Sequence, residues 1–149
     1  MKREQMEQRV FGRIFLLSNQ LQIEGDKLTQ ELTLKQWFLL LLLYKRNMEK
    51  PTINSLSAVM GVTRQSVKKM VSILEEKEFI TVSKSIDDSR ALCIQPTTKV
   101  KDFFQRNKSL GEDFLESVFQ GVTEDELSVT VKVLEQLLNN LAARKGKIL

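Results

Sequence analysis

The sequence contains no histidine, one cysteine, two prolines and six glycines in 149 residues. Each shortage closes off a class of chemistry. Without an imidazole there is no base for Ser-His-Asp or Cys-His catalysis and no His-ligated zinc or iron. A single thiol neither closes an intramolecular disulfide nor builds a thiolate metal site, which fits a reducing compartment. Neither GxxxxGK[ST] nor GxGxxG occurs, so the phosphate-cradling loops of nucleotide enzymes are missing. The longest apolar run, Trp37 to Tyr44, is eight residues, against the roughly 20 that a bilayer span needs. No charged-then-apolar leader opens the sequence. The expectation is a cytoplasmic protein that is not an enzyme, with no cofactor, no metal and no membrane partner.

What is present is ordinary in amount and uneven in placement. Hydrophobic residues make up 42% and charged residues 28%, the usage of a soluble globular domain with room for a helical extension. From Lys45 to Lys108 there are thirteen Lys/Arg against seven Asp/Glu, whereas the remainder carries ten basic and twelve acidic residues. A basic middle between mildly acidic ends suits a polyanion-binding module carried by helices with another task.

The hydrophobic spacing assigns those helices. Met6, Val10, Ile14, Leu17 and Leu21 recur at three- and four-residue steps, with Phe11 and Phe15 widening the stripe, so Arg3 to Ile23 reads as amphipathic. Thr33 and Gln36 form a capping box ahead of the apolar run from Trp37, which should be buried on most sides. Thr52 opens a short helix that Gly61 ends, and Thr63 caps the next, from Arg64 to about Lys77. In that helix Val67, Met70, Val71 and Leu74 form an inner stripe, with Arg64, Gln65, Ser66, Lys68, Lys69 and Ser72 outside. The period then changes to two: Phe79 to Lys84 and Ala91 to Gln95 read as strands around a turn, Ser85 to Ser89. After Pro96 a single long helix is expected, opened by Thr97 or Thr98 and ended by Gly121. Thr123 and Glu126 supply another capping box. Leu127, Val131, Leu134, Leu138 and Leu141 then space out an a/d seam over two heptads.

Two short helices about a tight Gly turn, the second polar and basic on its outer face, make a helix-turn-helix. Small Ser57 and Ala58 should let the helices approach, and Val67 should plug the angle between them. Short polar and cationic groups at the start of the second helix suit base edges and phosphates of a major groove. The following hairpin projects Lys84 and Arg90 as a wing, and an Arg there suits a narrow minor groove. Asp88 is expected to orient the Arg90 guanidinium through charge-assisted hydrogen bonds.

The run from Leu56 through Gly61, Thr63 and Arg64 to Lys77, followed by Asp88-Ser-Arg90 and the closing Thr97, resembles the multiple-antibiotic-resistance regulator (MarR) family of winged-helix transcription factors. The resemblance spans essentially the whole chain. It implies a mainly α fold with a small β-hairpin wing, a winged helix-turn-helix over residues 33–97, and helical dimerisation regions over residues 1–32 and 98–149. It further implies that Thr63, Arg64, Gln65, Ser66, Lys68 and Lys69 face a major groove, and that Lys84, Asp88 and Arg90 serve the wing. The implied dimer uses the first helix and the last two, here Val10, Ile14, Leu17, Leu127, Val131, Leu134 and Leu138. The sequence gives an independent reason for a dimer, since those stripes are too apolar for a monomer's surface. Two positions depart from the family's pattern. Glu78 stands where a Gly commonly ends the recognition helix, and Pro96 replaces an aliphatic residue and removes a backbone donor.

The resulting expectation is a homodimeric regulator, a ligand-responsive repressor, that binds a pseudo-palindromic double-stranded operator. The alternative is a winged-helix protein–protein interaction module or anti-activator without specific DNA binding. The Leu127 to Leu141 seam has a second reading as a core within the chain. Cys93 reads as a small residue packed in a wing strand, with Lys84 a candidate to stand opposite it. Phe11, Phe15, Trp37, Phe103 and Phe104 read as core, with a small-molecule effector pocket as the rival assignment.

Overall fold

The computed structural model describes residues 1–45, 51–84, 86 and 91–145. Its elements are α1 (Arg3–Gly25), α2 (Leu34–Lys45), α3 (Ile53–Met60), α4 (Arg64–Glu76), β1 (Ile80–Lys84), β2 (Leu92–Pro96), α5 (Thr98–Arg106), α6 (Lys108–Val118) and α7 (Glu124–Lys145). They divide into two compact units, residues 1–111 and 112–149, with the division falling inside α6.

In the first unit the local signals act as their chemistry requires. Thr33 and Gln36 form the reciprocal capping box of α2: the Thr33 amide donates to Gln36 Oε1 at 3.1 Å and the Gln36 amide to Thr33 Oγ1 at 3.2 Å. Asp26 adds a second cap that the sequence did not reveal, accepting from the Leu34 amide at 2.8 Å. The core is built by α2, α3, α4, the hairpin and α5, with Leu39, Leu40, Leu56, Val67, Leu74, Ile94, Val100 and Phe103 all fully buried. Phe103 sits at its aromatic centre, edge-on to Trp37 at 5.0 Å and to Phe79 at 5.6 Å. The apolar α2 is not buried all round, since Phe38 and Tyr44 are exposed.

The strands pair antiparallel, with Ile80 opposite Pro96, Val82 opposite Ile94 and Lys84 opposite Leu92. On the outer edge of β2 the Ile94 amide donates to the Pro51 carbonyl at 2.9 Å. Pro96 falls on the terminal rung, where a missing donor costs least.

The single long helix expected after Pro96 is two helices. Asn107 interrupts it at φ −106° and ψ 10°. This Asn is buried, and its side-chain Nδ2 donates to the Phe103 carbonyl at 2.9 Å, the same oxygen that its own backbone amide reaches at 3.0 Å. A side chain that competes for the carbonyl four residues back is a recognised cause of helix bending. Gly121 takes the left-handed conformation expected of it, with φ 80°.

The second unit is the rest of α6 and the whole of α7. Thr123 and Glu126 close the expected capping box, with the Thr123 amide donating to Glu126 Oε2 at 2.9 Å and the Glu126 amide to Thr123 Oγ1 at 3.3 Å. Acids occupy the first turn of α7 and Arg144 and Lys145 the last, the arrangement that the helix dipole favours.

Candidate nucleic-acid interface

The interface is built around the turn between α3 and α4. Thr52 caps α3, accepting from the Ser55 amide at 3.1 Å while the Thr52 amide donates to Ser55 Oγ at 2.8 Å. Gly61 takes φ 66° at the other end, a left-handed conformation that lets the chain turn within three residues into the Thr63 cap. Ser57 does more than make room: its hydroxyl donates to the Val62 carbonyl at 2.6 Å, and its carbonyl accepts from both Gly61 and Val62. Ala58, by contrast, is exposed. Val67 is fully buried in the angle, as expected.

Because Val67, Met70, Val71 and Leu74 are buried, the opposite face of α4 is fixed outward. Thr63, Arg64, Gln65, Ser66, Lys68 and Lys69 are all exposed. Two of these six are engaged in the cap. Thr63 Oγ1 accepts from the Ser66 amide at 3.1 Å, and the two hydroxyls lie 3.1 Å apart. Arg64, Gln65, Lys68 and Lys69 have no hydrogen-bond or ion-pair partner among the described residues. Arg64 and Lys68 stand one turn apart and line an open groove of about 320 Å³ together with Thr52, Asn54, Ala91 and Leu92. Asn54, which sequence reasoning did not single out, is exposed on the first turn of α3. Its signal was its place two residues after a capping Thr.

The wing is described only in part. Lys84 ends β1, exposed and opposite Leu92. Asp88 and Arg90 lie outside the described residues. Cys93 is buried in β2 and faces Ser83 across the hairpin, not Lys84; the Gln95 side-chain amide donates to its sulfur at 3.4 Å.

The end of α4 resolves the question raised by Glu78. Lys77 is the C-cap residue, and Glu78 follows it in the left-handed region at φ 62°. The Glu78 amide bonds the Glu75 carbonyl and the Phe79 amide bonds the Leu74 carbonyl, each at 2.9 Å. That pair of bonds, with Leu74 and Phe79 both buried, is a Schellman motif built on a residue with a Cβ. Thr97 locks the exit, its hydroxyl donating to the carbonyls of Glu78 at 2.7 Å and Phe79 at 3.1 Å. Lys99 Nζ donates to the Lys77 carbonyl at 2.8 Å, and Lys77 Nζ to the Glu31 carbonyl.

The other expected site residues lie on α1 and α7. Val10, Ile14 and Leu17 are exposed on α1, while on α7 Leu127 is half-buried and Val131, Leu134 and Leu138 are exposed. Within its own unit the seam of α7 is thus left open. Phe11 and Phe15 are likewise exposed, contrary to the core reading, and stack edge-on with each other at 5.1 Å. Among the described residues no group of His, Cys, Asp and Glu could hold a metal ion, and no helix is long and apolar enough to cross a membrane.

Comparison with known proteins extends these observations. Residues 32–92 match the sequence model of the MarR family. No curated protein matches the chain significantly by sequence. Among solved structures, a MarR/EmrR family transcriptional regulator from Acinetobacter sp. ADP1 superposes with a TM-score of 0.80 at 18% identity, covering 93% of this chain and 98% of its own. MepR of S. aureus, solved as a complex with DNA, gives a TM-score of 0.76 at 22% identity over 88% of this chain and 97% of its own. BpsR of Bordetella bronchiseptica, whose DNA binding is regulated by 6-hydroxynicotinic acid, gives 0.72 at 16% identity over 85% of this chain and 91% of its own. The chain has the winged-helix fold that these regulators share, and its likeness to the MarR family in sequence lies in residues 32–92.

Proposed function

We propose that the chain is a cytoplasmic, homodimeric, sequence-specific DNA-binding regulator that acts as a ligand-responsive repressor on a pseudo-palindromic operator. The observation that carries this reading is the outer face of α4. Four long polar or cationic side chains, Arg64, Gln65, Lys68 and Lys69, stand exposed without partners among the described residues, on a helix held by a fully buried inner stripe. Such a face offers hydrogen bonds to base edges and cations to phosphates. An interaction module would present an apolar patch there.

The dimer reading rests on α1 and α7, two helices about 33–35 Å long whose apolar stripes lie open. Two-fold symmetry sets one α4 against each half-site, with half-site centres about 34 Å apart for successive major grooves. Lys84 and Arg90 then serve the flanking minor groove, and Asp88 orients Arg90. An effector that binds only a dimer with the wrong helix separation shifts the population away from operator binding. The DNA complex of MepR and the ligand regulation of BpsR support this reading.

The test is selection of sites from a random duplex pool, followed by fluorescence-anisotropy titration of the selected and random duplexes across a salt series. Selected DNA is expected to bind about a thousandfold tighter or more, with a log–log salt slope that counts phosphate contacts. Equal, weak binding to both duplexes would overturn the regulator reading in favour of the interaction module.

A further inference from the structure

The wing hairpin is braced along both edges, and the two braces differ in kind. On the β2 edge the Ile94 amide donates to the Pro51 carbonyl, a main-chain bond at 2.9 Å. Because Ile94 spends its amide there, the opposed pair Val82–Ile94 is of the type that exchanges no bonds between the strands. By the alternation of an antiparallel ladder, the Val82 amide also points outward, off the free edge of β1. An edge donor of this kind ordinarily goes to water. Here it goes to Glu75 Oε2 at 3.2 Å.

Glu75 is a poor choice on every other ground. It lies in the last turn of α4, together with Glu76 and next to Glu78, where the helix dipole disfavours an anion. No cation pairs with it among the described residues. Eleven residues separate it from Arg64, about 16 Å of helix, so it does not reach whatever Arg64 touches. What the carboxylate does accomplish is to tie the far end of α4 to the third residue of β1, about 7 Å along the strand from Lys84. Thr97 and Lys99 already fix the first residues after the helix, through the carbonyls of Lys77, Glu78 and Phe79. Beyond that anchored start the Pro51 carbonyl holds the β2 edge, and the anchor at Val82 is what holds the β1 edge to α4 itself.

We propose that Glu75 is a positioning residue that sets the angle between recognition helix and wing, so that both fit one operator at once. This rests on the DNA-binding reading above. Contact with random DNA needs only the cations, whereas operator recognition needs helix and wing in register. Losing the brace therefore lowers specificity and leaves non-specific affinity in place.

The test compares Glu75→Ala and Glu75→Gln with the full-length wild type, on a duplex selected by the wild type from a random pool and on a random duplex. The expected result for Glu75→Ala is a roughly fivefold fall in the selected-to-random affinity ratio, with random-duplex affinity and salt slope unchanged. Glu75→Gln keeps an acceptor oxygen and is expected to recover most of the ratio. An unchanged ratio in Glu75→Ala overturns the proposal, and so does a Gln variant as impaired as Ala, which would make charge the cause. Amide hydrogen exchange at Val82 reads the brace without DNA. Exchange should be faster in Glu75→Ala and near wild type in Glu75→Gln, and equal exchange in all three overturns the proposal even if the wild type selects no site. Failure of selection alone overturns the DNA reading instead.

Discussion

Helices α4 and α7 are written in the same code, apolar residues at three- and four-residue steps, and end in opposite conditions. Every member of the α4 stripe is buried, whereas on α7 Leu127 is only half-buried and Val131, Leu134, Leu138 and Leu141 are exposed. The difference lies in what each stripe meets. That of α4 is met by α3 and β1 within the same unit, so the helix is held firmly enough to display a defined polar face. That of α7 remains open, Leu138 at 66% exposure, more apolar surface than an isolated soluble chain ordinarily shows. One stripe is an internal fastening, and the other is the surface that the dimer proposed above would cover.

The largest expected effect separates the two. Leu134→Asp places a carboxylate in the middle of the α7 seam, and in a two-fold dimer it does so twice. Burying an unpaired charge costs several kcal/mol, so sedimentation should show loss of the dimer with helical content retained. A dimer that survives would remove the α7 seam from the interface. Leu74→Ala, the matching change in α4, should cost about 2–5 kcal/mol of unfolding free energy and leave association intact. Urea unfolding measures it, and a loss below about 1 kcal/mol would mean that the site collapses around the smaller side chain.

The comparison also explains what could be read beforehand. The helix-turn-helix was legible nearly to the residue, because Thr52, Gly61 and Thr63 each act locally: a hydroxyl that caps, a residue free to turn left-handed, a second cap. The inner stripe of α4 followed from periodicity alone. The long helix after Pro96 was misjudged because periodicity is blind to Asn107, whose side chain bends the helix only when it turns inward to the Phe103 carbonyl. Phe11 and Phe15 were misjudged because an apolar stripe at helical spacing does not record whether its own chain covers it. Glu75 and Asp26 were invisible, since each acts on an amide seven or eight residues away and an acid at a helix end carries no mark of its partner.

Glu78 gives a smaller effect with the opposite sign. Its φ of 62° costs a residue with a Cβ about 1–2 kcal/mol, and only its backbone groups are used by Thr97 and the Schellman bonds. Glu78→Gly removes that strain and also an anion beyond a helix C-terminus. Glycine's greater freedom in the unfolded chain takes back about 0.5–1 kcal/mol. The net expectation is a gain of up to about 1 kcal/mol, read as a higher urea midpoint with unchanged slope. A lower midpoint would show that the Glu side chain stabilises the joint.

The smallest effect comes from how the two helices begin. The cap of α4 is Thr63 with Ser66, two hydroxyls that do not titrate in the acid range. The cap of α7 is Thr123 with Glu126, whose carboxyl is held below its ordinary 4.5 first by the Thr123 amide and then by the Thr123 hydroxyl. A carboxyl lowered in the folded state contributes stability that is present above its unfolded value and lost as pH falls through the folded one. The group is fully exposed, so the expected sign is local fraying and not unfolding. Titrated from about pH 6 to about pH 3, the Thr123 amide resonance should move with a midpoint below 4.5 while the Ser66 amide, bonded to a hydroxyl, stays still. Glu126→Gln should abolish the Thr123 titration. A Thr123 midpoint at or above the ordinary carboxyl value would mean that the carboxyl arm of the box does not close in solution, leaving α7 to start on the Thr123 hydroxyl alone with its acidic first turn favoured by the helix dipole.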